Sequence, residues 1–260
     1  MTFTPEQWVS VIQTEYPTVV LDPNPAQPRK QGVEEPLLRS VFQQLEQTFH
    51  SLSQHAPPEI AAYTEMALHV ASLLFSLGAA PAGWKKWLAL SSFGYFLQHD
   101  LHSTYLYAVL ADEWAFLAMA PKQPSKSKQT DIQCFEKLLG VRAEVDHQLP
   151  APDMRALYEE YEGYGYNDYC VLLTEAVPAQ DYEQVETCLI RIYEAWAHID
   201  WDHSTPELYP EFEPVPCALA ALAYQAGYRP RHLPDQVWRF YEPGLAGGAS
   251  QNFYQKYFGS

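Results

Sequence analysis

Apolar side chains recur along most of this chain at spacings of three and four residues, the signature of helices that bury one face. Thr4-Pro5-Glu6 opens the first helix, with Thr4 as its N-cap and Pro5 in the first helical position. Trp8, Val9, Ile12 and Tyr16 follow at helical spacing, and the prolines at 17, 23, 25 and 28 turn 17–32 into a loop. Over 35–55, Leu37, Leu38, Val41, Phe42, Leu45 and Phe49 form one apolar stripe opposite Arg, Gln, Glu and Ser, which predicts a helix at a surface. Pro57-Pro58-Glu59 starts a third helix to residue 77. Its second half is apolar nearly all round, which predicts a central position, and Gly78 ends it. Helices over 83–98 and 100–120 follow, the first carrying Trp84, Trp87, Phe93 and Phe96, the second capped by Asp100.

Beyond residue 120 the pattern is more broken. Pro121-Lys122-Gln123-Pro124-Ser125-Lys126-Ser127-Lys128 predicts an exposed basic loop. Short helices are expected over 134–139 and 153–164. Helices over 168–176 and 181–198 read as a hairpin broken at Pro178, followed by an acidic loop over 199–213. A compact apolar helix over 216–226 is closed by Gly227, a last short helix spans 234–241, and 244–250 is a loose tail. The one strand-like stretch is Thr18-Val19-Val20-Leu21, too short to demand a sheet. The expected fold is all-α: an irregular antiparallel helical bundle or short helical solenoid of about ten helices. Its N-terminal part would span 1–120 and its C-terminal part 130–260, packed as one domain with the exposed loop at 121–129. No fixed period runs through the chain, so a regular tetratricopeptide array is not expected.

Composition narrows the setting. Apolar residues make up 47% and aromatics 14%, enough for a packed core. Cys134, Cys170, Cys188 and Cys217 have neither CxxC nor zinc-ligand spacing and read as reduced core thiols. The first residues lack the basic and apolar stretches of a secretory signal, and the longest apolar run, 67–77, is interrupted by His69, Ser72 and Ser76. A cytoplasmic protein without membrane contact is expected.

Charge is unevenly placed. The net charge is -16, and residues 151–213 hold 2 Lys+Arg against 15 Asp+Glu. Such a field repels nucleic-acid phosphate and anionic lipid, and it attracts basic proteins. It also serves plain solubility. Within it, Tyr158, Glu159, Glu160, Tyr161, Glu162, Tyr164, Tyr166 and Asp168 interleave aromatic rings with carboxylates, and Asp200, Asp202 and Glu207 follow in the acidic loop. Tyrosine offers a stiff contact area with a polar tip, and carboxylates pair with Lys and Arg, so these residues are the candidate partner-binding set. The same tyrosines also suit a helix end that packs inward.

Catalytic chemistry finds little support. GxSxG, GxGxxG, the P-loop and HExxH are all absent. His99-Asp100-Leu101-His102 and His198-Ile199-Asp200-Trp201-Asp202-His203 carry metal-ligating types, and Glu144-Val145-Asp146-His147 is a single Glu-x-x-His. Adjacent positions diverge around a helix, and helical di-metal centres need two such pairs. A metal-dependent helical enzyme therefore stands as an alternative, beside a generic helical scaffold for protein partners. Neither a catalytic residue, a bound metal nor a cofactor is expected.

Two segments carry a family resemblance. Pro214-Val215-Pro216-Cys217-Ala218-Leu219-Ala220-Ala221-Leu222-Ala223-Tyr224-Gln225-Ala226-Gly227-Tyr228 resembles the closing helix of the immunity-protein 49 family of bacterial polymorphic toxin systems. Trp84-Lys85-Lys86-Trp87-Leu88-Ala89-Leu90 is similar to that family's tryptophan-bearing middle helix. The resemblance implies an all-helical cytoplasmic antitoxin that binds a cognate toxin domain. It brings no catalytic residues and places no shared binding motif on this chain. A basic toxin would suit the acidic stretch.

Overall fold

The computed structural model describes residues 3–19, 35–55, 57–76, 79–146, 166–198, 214–234, 237 and 252–259. The chain is all-α, with no strand among the described residues. It divides into two compact units: unit 1 is Met1–Ala120 with Gly248–Ser260, and unit 2 is Pro121–Gly247.

Unit 1 begins with α1 (Pro5–Glu15), closed at its start by the capping box Thr4/Gln7 and followed by a 3-10 turn at Tyr16–Thr18. Helices α2 (Glu35–Ser53), α3 (Ile60–Ser76) and α4 (Pro81–Leu97) come next. The expected central helix is central: Tyr63, Met66, Ala67, Val70, Ala71 and Leu73 of α3 are buried. It runs antiparallel to α4, because Thr64 lies beside Ser91 and Gln98 while Phe75 meets Trp84 edge-on at the other end. Buried hydroxyls would be costly in this interface if left unpaired. They are not: Ser91 donates to the Thr64 carbonyl, Ser92 to the Thr104 carbonyl and Ser72 to the Leu68 carbonyl. Helix α1 crosses α4 at Gly94. A Cβ there would collide with the Thr64 hydroxyl and stand 2.6 Å from the Trp8 ring. The missing side chain admits the indole, whose Nε1 donates to the Leu90 carbonyl at 2.9 Å.

The single helix expected over 100–120 is two: α5 (Leu101–Leu110) and α6 (Trp114–Met119). Asp100 caps α5 as expected, accepting from the Ser103 N–H. The break falls at Asp112, whose φ of 60° lies in the left-handed region that aspartate tolerates. Its carboxylate pairs with Lys85 of α4, which holds the kink.

Unit 2 begins with the irregular segment 121–129, whose Lys122, Lys126 and Lys128 are exposed as expected. Three polar groups hold its backbone. Buried Glu136 accepts from the Ser125 N–H at 2.9 Å, Arg142 donates to the Ser125 carbonyl, and Gln133 donates to the Ser127 carbonyl. Helix α7 (Thr130–Leu138) begins a turn earlier than expected. The hairpin α8 (Tyr166–Ala179) and α9 (Tyr182–His198) is present, but Pro178 lies inside α8. The turn comes at Gln180, with φ of 57°, and Asp181 caps the following helix by accepting from the Gln184 N–H. Helix α10 (Pro214–Gln225) packs against α7 and α9 and ends before Gly227, whose φ is 106°. The helix expected over 153–164, the loop over 199–213 and the tail over 244–250 lie outside the described residues, as does all of the 234–241 segment except Pro234 and Val237.

One helix has no counterpart in the sequence reading. In unit 1, α11 (Phe253–Phe258) is capped by Asn252, which accepts from the Gln255 N–H.

Candidate functional site

Of the eleven candidate partner-binding residues, Tyr166 and Asp168 are described; Tyr158, Glu159, Glu160, Tyr161, Glu162, Tyr164, Asp200, Asp202 and Glu207 lie outside the described residues. Tyr166 faces inward. It is buried, its hydroxyl donates to Asp131 of α7 at 3.1 Å, and burial holds its phenol well above the ordinary value. It serves the core of unit 2. Asp168, two residues on, is half-buried.

The hairpin α8–α9 displays what Tyr166 does not. Asp168, Glu175, Asp181, Glu183, Glu186 and Glu194 stand on it against the single cation Arg191, which pairs with Glu194 at 2.9 Å. Glu175, Asp181, Glu183 and Glu194 are exposed. Glu186 is drawn toward the 228–232 turn, where it accepts from the Arg231 and His232 N–H groups. Those bonds hold its carboxyl below the ordinary glutamate value although partial burial pushes the other way.

One apolar residue stands among these acids. Leu172 is 40% exposed. It is spaced four residues from Asp168 and three from Glu175, so all three share one face of α8. On that face Leu172 is an exposed apolar side chain with an acidic residue about one turn to either side. The sequence reading missed Leu172 because Val171-Leu172-Leu173 looks like core. Leu173 is buried and Leu172 is not.

Nucleophilic chemistry has no purchase on the described thiols. Cys134, Cys170, Cys188 and Cys217 are buried and reduced. Burial pushes the Cys134 thiol up to about 12, raises Cys188 and raises Cys170 further, so these three are protonated at neutral pH. Among the described residues no group of three or more His, Cys, Asp or Glu side chains converges as a metal site would. His99 and His102 flank the start of α5, and His99 has a φ of 62°. No described helix is long and apolar enough to cross a membrane.

No protein-family model, no curated protein and no solved structure matches this chain.

Proposed function

We propose that this chain is an immunity protein: a cytoplasmic antitoxin that binds a cognate bacterial toxin domain of basic charge and blocks it. The observation that carries the reading is the face of α8, where exposed Leu172 stands between Asp168 and Glu175 on a hairpin with one cation. The surrounding stretch 151–213, with 15 Asp+Glu against 2 Lys+Arg, supports a basic partner, since its field accelerates capture of positive charge. The resemblance of 214–228 and 84–90 to the immunity-protein 49 family supports the biological role. On sequence grounds the interface extends to Tyr158, Glu159, Glu160, Tyr161, Glu162 and Tyr164, and to Asp200, Asp202 and Glu207. Tyr166 is left out of it, because its hydroxyl is spent on Asp131.

Inhibition needs no chemistry on this side. A partner whose active site binds phosphate is blocked when carboxylates occupy the same cationic groups. The test is co-expression. A gene adjacent to this one is expected to encode a product that arrests growth alone and is tolerated with this protein present. If no neighbouring product is toxic and rescued, the reading falls.

A further inference from the structure

Within unit 1, the 3-10 turn at Tyr16–Thr18 stands over α2 and α3 and leaves a cavity of about 120 Å³ against them. Its floor is aliphatic: Leu45 of α2 and Val70 and Leu73 of α3 line it and are buried. Its rim reaches solvent, because Pro17 and Glu46 line it and are exposed. An aliphatic cavity of about 150 Å³ stays dry and admits a small hydrocarbon, so this one is a size for a chain of about four carbons.

Two polar side chains interrupt the apolar wall, and neither is bonded to another described residue. Tyr16 is held by its ring, which stacks on Phe49 at 4.2 Å and meets Trp87 edge-on at 6.3 Å; its hydroxyl makes no hydrogen bond among the described residues. Partial burial and the Glu46 charge push this phenol up to about 12, so it is protonated at neutral pH. Glu46 has neither an ion pair nor a hydrogen bond among the described residues. The neighbouring cations are committed elsewhere: Lys85 pairs with Asp112, Lys86 with Glu15, and His50, one turn along α2, bonds to Gln54.

A hydrocarbon slot with an uncompensated carboxylate at its rim selects its ligand at both ends. The chain gains by leaving water for Leu45, Val70 and Leu73. A negative head would be repelled by Glu46, and a neutral head forgoes the charge-assisted bond. An ammonium offers three donors, and the Glu46 carboxylate and the Tyr16 hydroxyl oxygen are acceptors for them. It also keeps part of its hydration, which a rim position allows.

We propose that this cavity binds a primary alkylammonium group, with the hydrocarbon chain on Leu45, Val70 and Leu73 and the ammonium held at the rim by Glu46. A free amine and a lysine side chain share this chemistry. The site belongs to unit 1 and does not depend on the acidic hairpin of unit 2.

Titration of the full-length chain, followed by the methyl resonances of Leu45, Val70 and Leu73, tests this. n-Butylammonium should shift them saturably. Methylammonium, which has the head without the chain, should bind about tenfold more weakly or worse. n-Butanol, which has the chain without the charge, should bind about fivefold more weakly. Glu46→Gln, at an exposed position where the fold tolerates exchange, should weaken n-butylammonium by a similar factor and leave n-butanol unchanged. Nα-acetyl-lysine N-methylamide separates the two sources: binding as tight as that of n-butylammonium assigns the site to lysine side chains, and weaker binding assigns it to free amines. No saturable shift with n-butylammonium overturns the proposal. So does methylammonium binding as tightly as n-butylammonium, which would reduce the site to a surface ion pair, or an unchanged n-butylammonium affinity in Glu46→Gln.

Discussion

Gly94 and Leu172 show how much one position decides. At Gly94 a single methyl group would meet the Thr64 hydroxyl and the Trp8 ring, both fully buried. Overpacking of this kind costs about 1–3 kcal/mol. Gly94→Ala should lose that much in urea denaturation; an unchanged midpoint would mean that α1 can slide off α4 freely. Leu172 makes the opposite case. Its exposed side chain contributes little to the folded state, so Leu172→Ala should change stability by no more than about 0.5 kcal/mol. In the proposed complex it is an anchor, and the same substitution should weaken partner binding about tenfold or more. Loss of stability without loss of affinity would make it a core residue that happens to be half uncovered. Neither role is visible in the order of residues. A glycine in an apolar helix looks like a weak point until the crossing indole is seen, and Leu172 looks like Leu173. Glu113 is hidden for a related reason: its buried carboxylate accepts from the Phe253 and Tyr254 N–H groups, in the last turns of the chain.

At the scale of elements, local signals were readable wherever the cause is local. The Thr4 cap, the Asp100 cap and the Gly227 stop act within a few residues, and each helix end falls within a few residues of expectation. Breaks held by distant partners were not readable. Nothing near Asp112 announces that Lys85 will pin it in the left-handed region and split one helix into α5 and α6. The short helix α11 carries an Asn cap and aromatics at 253, 254, 257 and 258, a signal that a six-residue run next to a glycine-rich stretch easily conceals. Two predictions belong here. Gly227→Ala forces a side chain into a φ of 106° and toward the Tyr182 hydroxyl, so it should cost about 1–2 kcal/mol in thermal or urea unfolding. Glu136→Ala removes the acceptor for the Ser125 N–H and for Arg142. Tryptic cleavage after Lys126 and Lys128 should then accelerate by about tenfold while helix content stays the same. An unchanged cleavage rate would mean that Gln133 and the rest of the segment hold it alone.

At the scale of the molecule, the pattern of apolar positions foretold an all-α chain. It did not foretell which acids are structural. Glu113, Asp131 and Glu136 are buried and bonded inward, whereas Glu175, Asp181, Glu183 and Glu194 are left to solvent. Sequence counts both kinds alike, and only burial separates charge that steers partners from charge that organises the fold. Long-range steering comes from the exposed kind and is screened by salt. The proposed toxin complex can therefore be tested by its association rate constant at low and high ionic strength. Wild type is to be compared with a variant neutralised at Glu175, Asp181, Glu183 and Glu194 by amide substitution. The account predicts a rate that falls about tenfold or more between roughly 20 mM and 500 mM salt for wild type, and a shallower fall from a lower start for the variant. Identical, salt-independent rates for both proteins would contradict capture through the acidic hairpin.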